Sequence, residues 1–202
     1  MTPSDSSSAP GRPREFEIDD AIESAMQVFW TRGYNGTSLV DLIDGTGLSR
    51  GSLYKAFGDK RGLFLVALER YFSESSVSLF HTLQQPGPVK SVIRETLMRF
   101  AQMSCAEDGR RGCMLVATAT EMVPHDAGIA QYVRSMFDRM RNAYAAAIAR
   151  GQASGEIPAH HDAQALAGLI VCLTQGMRAV GKAGAEKKSM VAMADAAMAL
   201  FD

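Results

Sequence analysis

The chain has 202 residues, 47% of them apolar and 21% charged, with a net charge of −1. That is enough apolar mass for a folded core, and it excludes a chain held open by its own charge. A near-neutral total gives no sign of a nucleic-acid partner, and no unbroken apolar run approaches the roughly 20 residues of a membrane span.

Residues 1–13, MTPSDSSSAPGRP, read as a flexible N-terminal arm. They lack the apolar core of a signal peptide, so a cytoplasmic protein is expected. Ile18, Ala21, Ile22, Ala25, Met26 and Phe29 recur at helical spacing and predict a helix over 17–32. Gly33 stops it, and Asn35-Gly36 makes a turn. Thr37 or Ser38 caps a second helix through Asp44, with Asp41 completing a capping box. Gly45 and Gly47 end that helix. Ser49 caps a third helix in LSRGSLYKAF, 48–57, and Asp59 caps a fourth that runs to the low 80s. QQPGPV, 84–89, is the clearest internal boundary. Helices then follow at 89–105, 111–123, 126–153, 163–181 and 187–201. The longest apolar stretch, 163–180, is broken by Gly168, Gln175, Gly176 and Arg178. The expected fold is all-α. A three-helix helix-turn-helix DNA-binding domain, 14–60, joins a linking helix and a larger effector-binding and dimerisation bundle, 61–202.

Two short helices joined by a glycine turn form a helix-turn-helix. Leu39, Leu42 and Ile43 meet Leu48, Leu53 and Phe57, and Ile22, Met26 and Phe29 close the core. Arg50, Ser52, Tyr54 and Lys55 are left facing outward. Such a helix fits the major groove of double-stranded DNA. Arg50 suits a guanine edge, and Gly51 lets backbone approach closely. Ser49, the Tyr54 hydroxyl and the helix amides suit phosphates. Thr37, Ser38 and Lys60 stand at helix starts that hold phosphates. Arg12 and Arg14, in GRPR, suit a minor-groove arm. Through Phe72 there are eight Lys/Arg against ten Asp/Glu, but 47–61 holds four cations and one acid. DNA feels that local patch. The plain alternative is a solvated helix in an ordinary bundle.

RGYNGTSLVDLIDGTGLSRGSLYKAFGDKRGLF, 32–64, resembles the TetR family of bacterial transcriptional regulators. It departs at Ile43 and Thr46, where the family has small alanines, and those positions concern packing. The resemblance implies a homodimer on a palindromic, inverted-repeat operator, repression, and release when a C-terminal ligand site fills. RRGCMLVATATEM, 110–122, is similar to a branch in which a Gly-Cys pair opens a helix lining the effector cavity. Some members of that branch sense electrophiles or oxidants through the cysteine, and others bind small organic ligands or metals.

In the larger domain Phe100, Met103, Met114, Met122, Met136, Phe137, Met140 and Tyr144 line one cavity or form plain core. Thr118, Glu121 and Gln175 are its polar anchors, or are satisfied elsewhere. Cys113 follows Arg110, Arg111 and Gly112 at a helix start. Nearby cations and helix N-termini favour the reactive thiolate, which makes Cys113 a redox or electrophile candidate with Cys105 as partner. The alternative is a buried small hydrophobe. Cys105, Cys113 and Cys172 have no CxxC spacing and form no disulfide framework. His125-Asp126 and His160-His161-Asp162 read as helix caps, so no metal or cofactor is expected. No paired carboxylates, Ser/His/Asp order or phosphate loop suggests an enzyme. Leu166, Leu169, Ile170, Leu173, Met177, Met190, Met193 and Leu200 exceed what one bundle buries and predict a four-helix interface with a second copy. That pairing sets the two reading helices about 34 Å apart. The expected protein is therefore a repressor released by a small apolar or electrophilic effector. The alternative is a small-molecule or thiol-redox sensor that no longer binds DNA.

Overall fold

The computed structural model describes residues 12–202, with side chains from Ile18 onward except that of Asp108. The arm through residue 11 and the side chains of Arg12 and Arg14 lie outside the described residues. Among the described residues nine α-helices follow in order: α1 Arg12–Arg32, α2 Leu39–Thr46, α3 Arg50–Phe57, α4 Lys60–Gln84, α5 Val89–Cys105, α6 Met114–Glu121, α7 Ala127–Ala153, α8 Ala163–Lys182 and α9 Lys187–Met198. Short 3-10 turns occupy Glu107–Arg111 and Ala199–Phe201. No strand occurs among the described residues. The chain divides into two compact units, one through Arg70 and one from Tyr71, so the boundary falls inside α4.

The first unit is built on α1. Ala21, Ala25, Met26 and Phe29 are buried at helical spacing. Phe29 packs edge-on to Phe64 at 5.0 Å, and Tyr34 does the same at 5.0 Å, so three rings lock α1 to the start of α4. Two helix boundaries differ from the sequence reading. The first helix begins at Arg12 rather than 17. Gly45 lies inside α2 instead of ending it, because a Cβ there would sit 2.6 Å from Cγ2 of Val28 on α1. Gly47 alone makes the left-handed C-cap, at φ +68°. The capping box is present: the Ser38 hydroxyl accepts from Asp41 N at 3.1 Å, and the Asp41 carboxylate accepts from Ser38 N at 2.8 Å.

In the second unit α5 packs on α8 and α9, and α7 packs on α8. Pro88 gives α5 no side-chain cap, and the carboxylate of Glu156 supplies one from a distant loop. It accepts from Val89 N at 2.6 Å and Lys90 N at 2.9 Å. A 3-10 turn precedes α6, which begins at Met114 rather than at 111. Asp126 and Asp162 cap α7 and α8 by accepting from Ile129 N and from Gln164 N and Ala165 N.

Helix α8 corrects one expectation. Ala163–Lys182 is long and apolar enough, with mean hydropathy 1.3, to pass for a membrane span by length and composition. Its interruptions lower that average but leave it within the range of a membrane span. One face, with Ala167, Ile170, Val171, Thr174, Met177, Arg178 and Gly181, is buried in the bundle. The other leaves Ala165, Leu169, Cys172, Gly176 and Val180 exposed. Ile170, Met177 and Met190, expected between subunits, lie in the chain's own core. Leu169 and Leu200 remain exposed.

At Gly181 of α8 a Cβ would lie 2.3 Å from the carbonyl oxygen of Ser104 on α5. Gly181→Ala should therefore lower stability by about 1–3 kcal/mol, read as a fall in the urea midpoint. An unchanged midpoint would mean that the two helices part without cost.

Candidate nucleic-acid interface and effector cavity

Helix α3 is eight residues long and buries one side chain, Leu53. Ser49 caps it by accepting from Ser52 N at 3.2 Å. Ser49, Arg50, Gly51, Ser52, Tyr54 and Lys55 are all exposed. The Arg50 guanidinium lies 5.5 Å from the centre of the Tyr54 ring, so the cation is folded over the aromatic face one turn on. Among the described residues neither Arg50 nor Lys55 has a carboxylate partner. A Cβ on Gly51 would meet nothing nearer than the Ser49 hydroxyl, at 3.9 Å. Nothing inside the unit requires that glycine.

Lys60 sits beside this helix in sequence, with Nζ 4.4 Å from the centre of the Tyr34 ring. Ser38 is exposed but committed to the capping box. The Ser38 hydroxyl and N–H, followed by the charges of Arg32 and Lys60, hold the Asp41 carboxyl below its usual value. The ionised cap thus acts fully above the ordinary carboxylate range and is lost only as pH falls through that lowered value. Thr37 is placed differently from its expectation. It is buried, and its hydroxyl donates to Gly33 O at 2.6 Å, so it braces the α1–α2 turn and offers nothing to a phosphate.

The second unit contains a cavity of about 40 Å³. Its walls include Tyr71, Phe72 and Leu79 of α4, Phe100 and Met103 of α5, Cys113, and Gln175 and Arg178 of α8. A void of about 20 Å³ shares Ser75, Leu79, Phe100 and Met103 with it. Of the residues expected from sequence, Phe100, Met103, Met140, Gln175 and Cys113 come together here.

The others do not line it. Met114, Met122 and Met136 are buried in the core. Thr118 donates its hydroxyl to Met114 O at 2.8 Å, satisfied by its own helix. Tyr144 is fully buried between α7 and α5 and donates to the Thr96 hydroxyl at 3.0 Å; burial pushes its own ionisation up. Glu121 ends α6 half-buried. Phe137 faces a separate groove of about 310 Å³ with Arg141, Gly168 and Cys172.

Sequence reasoning missed Tyr71, Phe72, Ser75, Ser76, Leu79, Leu115 and Arg178. The first five lie on a helix read only as a linker. Arg178 was read as a break in an apolar run, and an arginine inside the most apolar stretch was the available signal. Its NH1 donates to Met103 O at 3.2 Å and its NH2 to Gly112 O at 2.6 Å. These bonds tie the end of α5 to the turn before Cys113. Burial raises the pKa of Tyr71, Cys113 adds to that rise, and the Arg178 charge opposes it. All three cysteines are free, and the Cys105 thiol donates to Ala185 O at 3.6 Å. Among the described residues no three His, Cys, Asp or Glu cluster as metal ligands.

The family model for bacterial regulatory proteins of the tetR family matches residues 21–67, and that for a tetracyclin repressor-like C-terminal domain matches residues 91–197. The HTH-type transcriptional repressor ComR of Escherichia coli (strain K12) is 31% identical over 194 residues, covering 95% of this chain and 91% of ComR. The HTH-type transcriptional regulator YezE of Bacillus subtilis (strain 168) is 32% identical over 147 residues, 73% of this chain and 76% of YezE. Among solved structures, a cysteine mutant of the TetR family transcriptional regulator CifR, complexed with 26-base-pair double-strand operator DNA, matches with a TM-score of 0.85. It is 27% identical and covers 95% of this chain and 100% of that one.

Two substitutions test which residues of the first unit the fold itself needs. Thr37→Val should cost about 1 kcal/mol by removing a buried hydrogen bond. Gly51→Ala should add about 0.5–1 kcal/mol of helix stability, having open space around it. Urea denaturation checks both, and a destabilised Gly51→Ala would give that glycine a role in the fold.

Proposed function

The chain belongs to the TetR family of bacterial regulatory proteins, and from this footing we propose that it is a transcriptional repressor, a homodimer bound to an inverted-repeat operator and released by a small effector. The observation that carries this reading is the exposed face Ser49–Lys55 on a helix held by one buried leucine. Arg50 reads a base edge in the major groove, Gly51 admits the DNA backbone, and Ser49, Ser52, Tyr54, Lys55 and Lys60 hold phosphates. The alternative of a sensor that no longer binds DNA has no use for this exposed polar face. An operator as partner implies a cytoplasmic protein.

The homodimer is supported by the outward stripe of α8, where Leu169 and Val180 are each 48% exposed. Two antiparallel copies of this stripe with α9 would bury it as an isologous four-helix contact. The effector enters the cavity beside Arg178, whose space suits a small molecule and whose walls of Phe72, Leu79, Phe100, Leu115 and Met140 are apolar. Cys113, on the same wall, gives an electrophilic effector a thiol to modify.

Arg50→Ala should cost about 1–3 kcal/mol and relax base preference at one position of each half-site, whereas Lys60→Ala should weaken every sequence alike and lower the salt slope by about one. Fluorescence anisotropy with the DNA flanking the protein's own gene, over a salt series, measures both. Unchanged affinity in both variants would remove α3 as the reader.

Light scattering at micromolar concentration should give the mass of a dimer, and Leu169→Lys should shift it towards the monomer. A monomeric wild type would contradict the assembly.

A further inference from the structure

Arg178 is 5% exposed, on the one helix among the described residues that is long and apolar enough to pass for a membrane span, and lines the cavity. Its two hydrogen bonds go to neutral carbonyls, those of Met103 and Gly112, which use two of the five N–H donors of a guanidinium. Among the described residues no carboxylate lies within 4.0 Å of it. Carbonyl dipoles soften the burial of a cation but do not neutralise it, and a cation out of water is costly until an anion joins it. On the same wall, Oε1 of Gln175 is buried with no hydrogen-bond partner. The cavity therefore holds one charge without a counter-charge and one acceptor without a donor.

Its other end is different in kind. Leu79, Phe100 and Met103 form apolar walls, and the adjoining void of about 20 Å³, which Ser75, Thr82, Thr96 and the exposed Arg99 also line, continues past them. A water needs about 10–15 Å³ of such space. The larger cavity, about 40 Å³, thus holds only a few water-sized groups, and the void extends it by one or two.

We propose that this cavity binds a short-chain monocarboxylate of about four carbons, its carboxylate on the buried guanidinium of Arg178 and its alkyl chain along Leu79, Phe100 and Met103. A single buried cation matches a single negative charge, and a planar carboxylate matches the guanidinium fork. A hydroxyl on the chain, or one water, supplies the donor that Gln175 Oε1 lacks. The inference rests on the reading of the second unit as an effector domain.

Isothermal titration calorimetry and thermal melts on the full chain test it, with butanoate and 3-hydroxybutanoate against butyramide, at ionic strength matched with sodium chloride. At least one acid should bind at least about tenfold tighter than the amide, as expected for a charge-assisted contact. Arg178→Gln should lose that preference. Because this variant also releases two backbone carbonyls, Ser75→Phe serves as a second one. It adds bulk at an exposed position shared by both voids and should weaken either acid without unfolding the chain. Neither acid binding better than butyramide, or full binding by Arg178→Gln, would overturn the proposal. Operator binding is measured separately. Wild type that binds an acid but never the DNA flanking its gene would remove the regulator reading and leave the carboxylate site standing.

Discussion

A helix of eight residues does not hold together alone in water, and α3 has that length. Everything the first unit does depends on keeping Leu53 buried while the residues around it stay exposed. The grip comes from outside the helix. Ser49 caps its start, Gly47 sets the turn before it, and α2 lies close on α1 because Gly45 carries no side chain against Val28. Phe29, Tyr34 and Phe64 then lock α1 to the base of α4. A short reader can be rigid only if its frame is over-determined. The frame accordingly takes Thr37 inward as a brace, although its position at a helix start suggests a phosphate contact.

The second unit is organised around a polar group in an apolar place. The Arg178 guanidinium links the end of α5 to Gly112, whose φ of +77° turns the chain into α6. That link puts Cys113, Tyr71 and Gln175 on one cavity wall. Elsewhere the same logic recurs at smaller scale. Glu156 caps α5 from a loop 66 residues away from Lys90, and Arg150 reaches the Leu83 carbonyl at 2.6 Å. Each is a polar contact between segments distant in sequence, and each satisfies a helix end that its own neighbours leave open.

Helix α8 links the cavity and the proposed subunit contact. Its inner face carries Gln175 and Arg178, and its outer face carries the apolar stripe. A ligand that pulls on Arg178 would shift or rotate the same helix that carries the proposed contact. A one-helix coupling of this sort needs no long relay of side chains, only a packed element with two seats.

How much was legible in the sequence follows from the range of the interactions. Helix number, order and most boundaries were readable, because periodicity, caps and glycine stops act within a turn or two: Ser38 with Asp41, Ser49 with Ser52, Asp59 with Gly62. The exposed face of α3 was readable for the same reason, since one helix wheel sets Leu53 opposite Gly51 and Lys55. The cavity was only half readable. Phe100, Met103, Met140 and Gln175 carry the composition of a pocket, but so do Met114, Met122, Met136 and Tyr144, which fill core. Composition cannot say which side of a helix faces a void and which faces a neighbour. Only the tertiary structure brought α4 to the cavity, buried Thr37, and put Arg178 against two carbonyls. Those outcomes depend on how helices far apart in the chain pack together, and no local pattern encodes that distance.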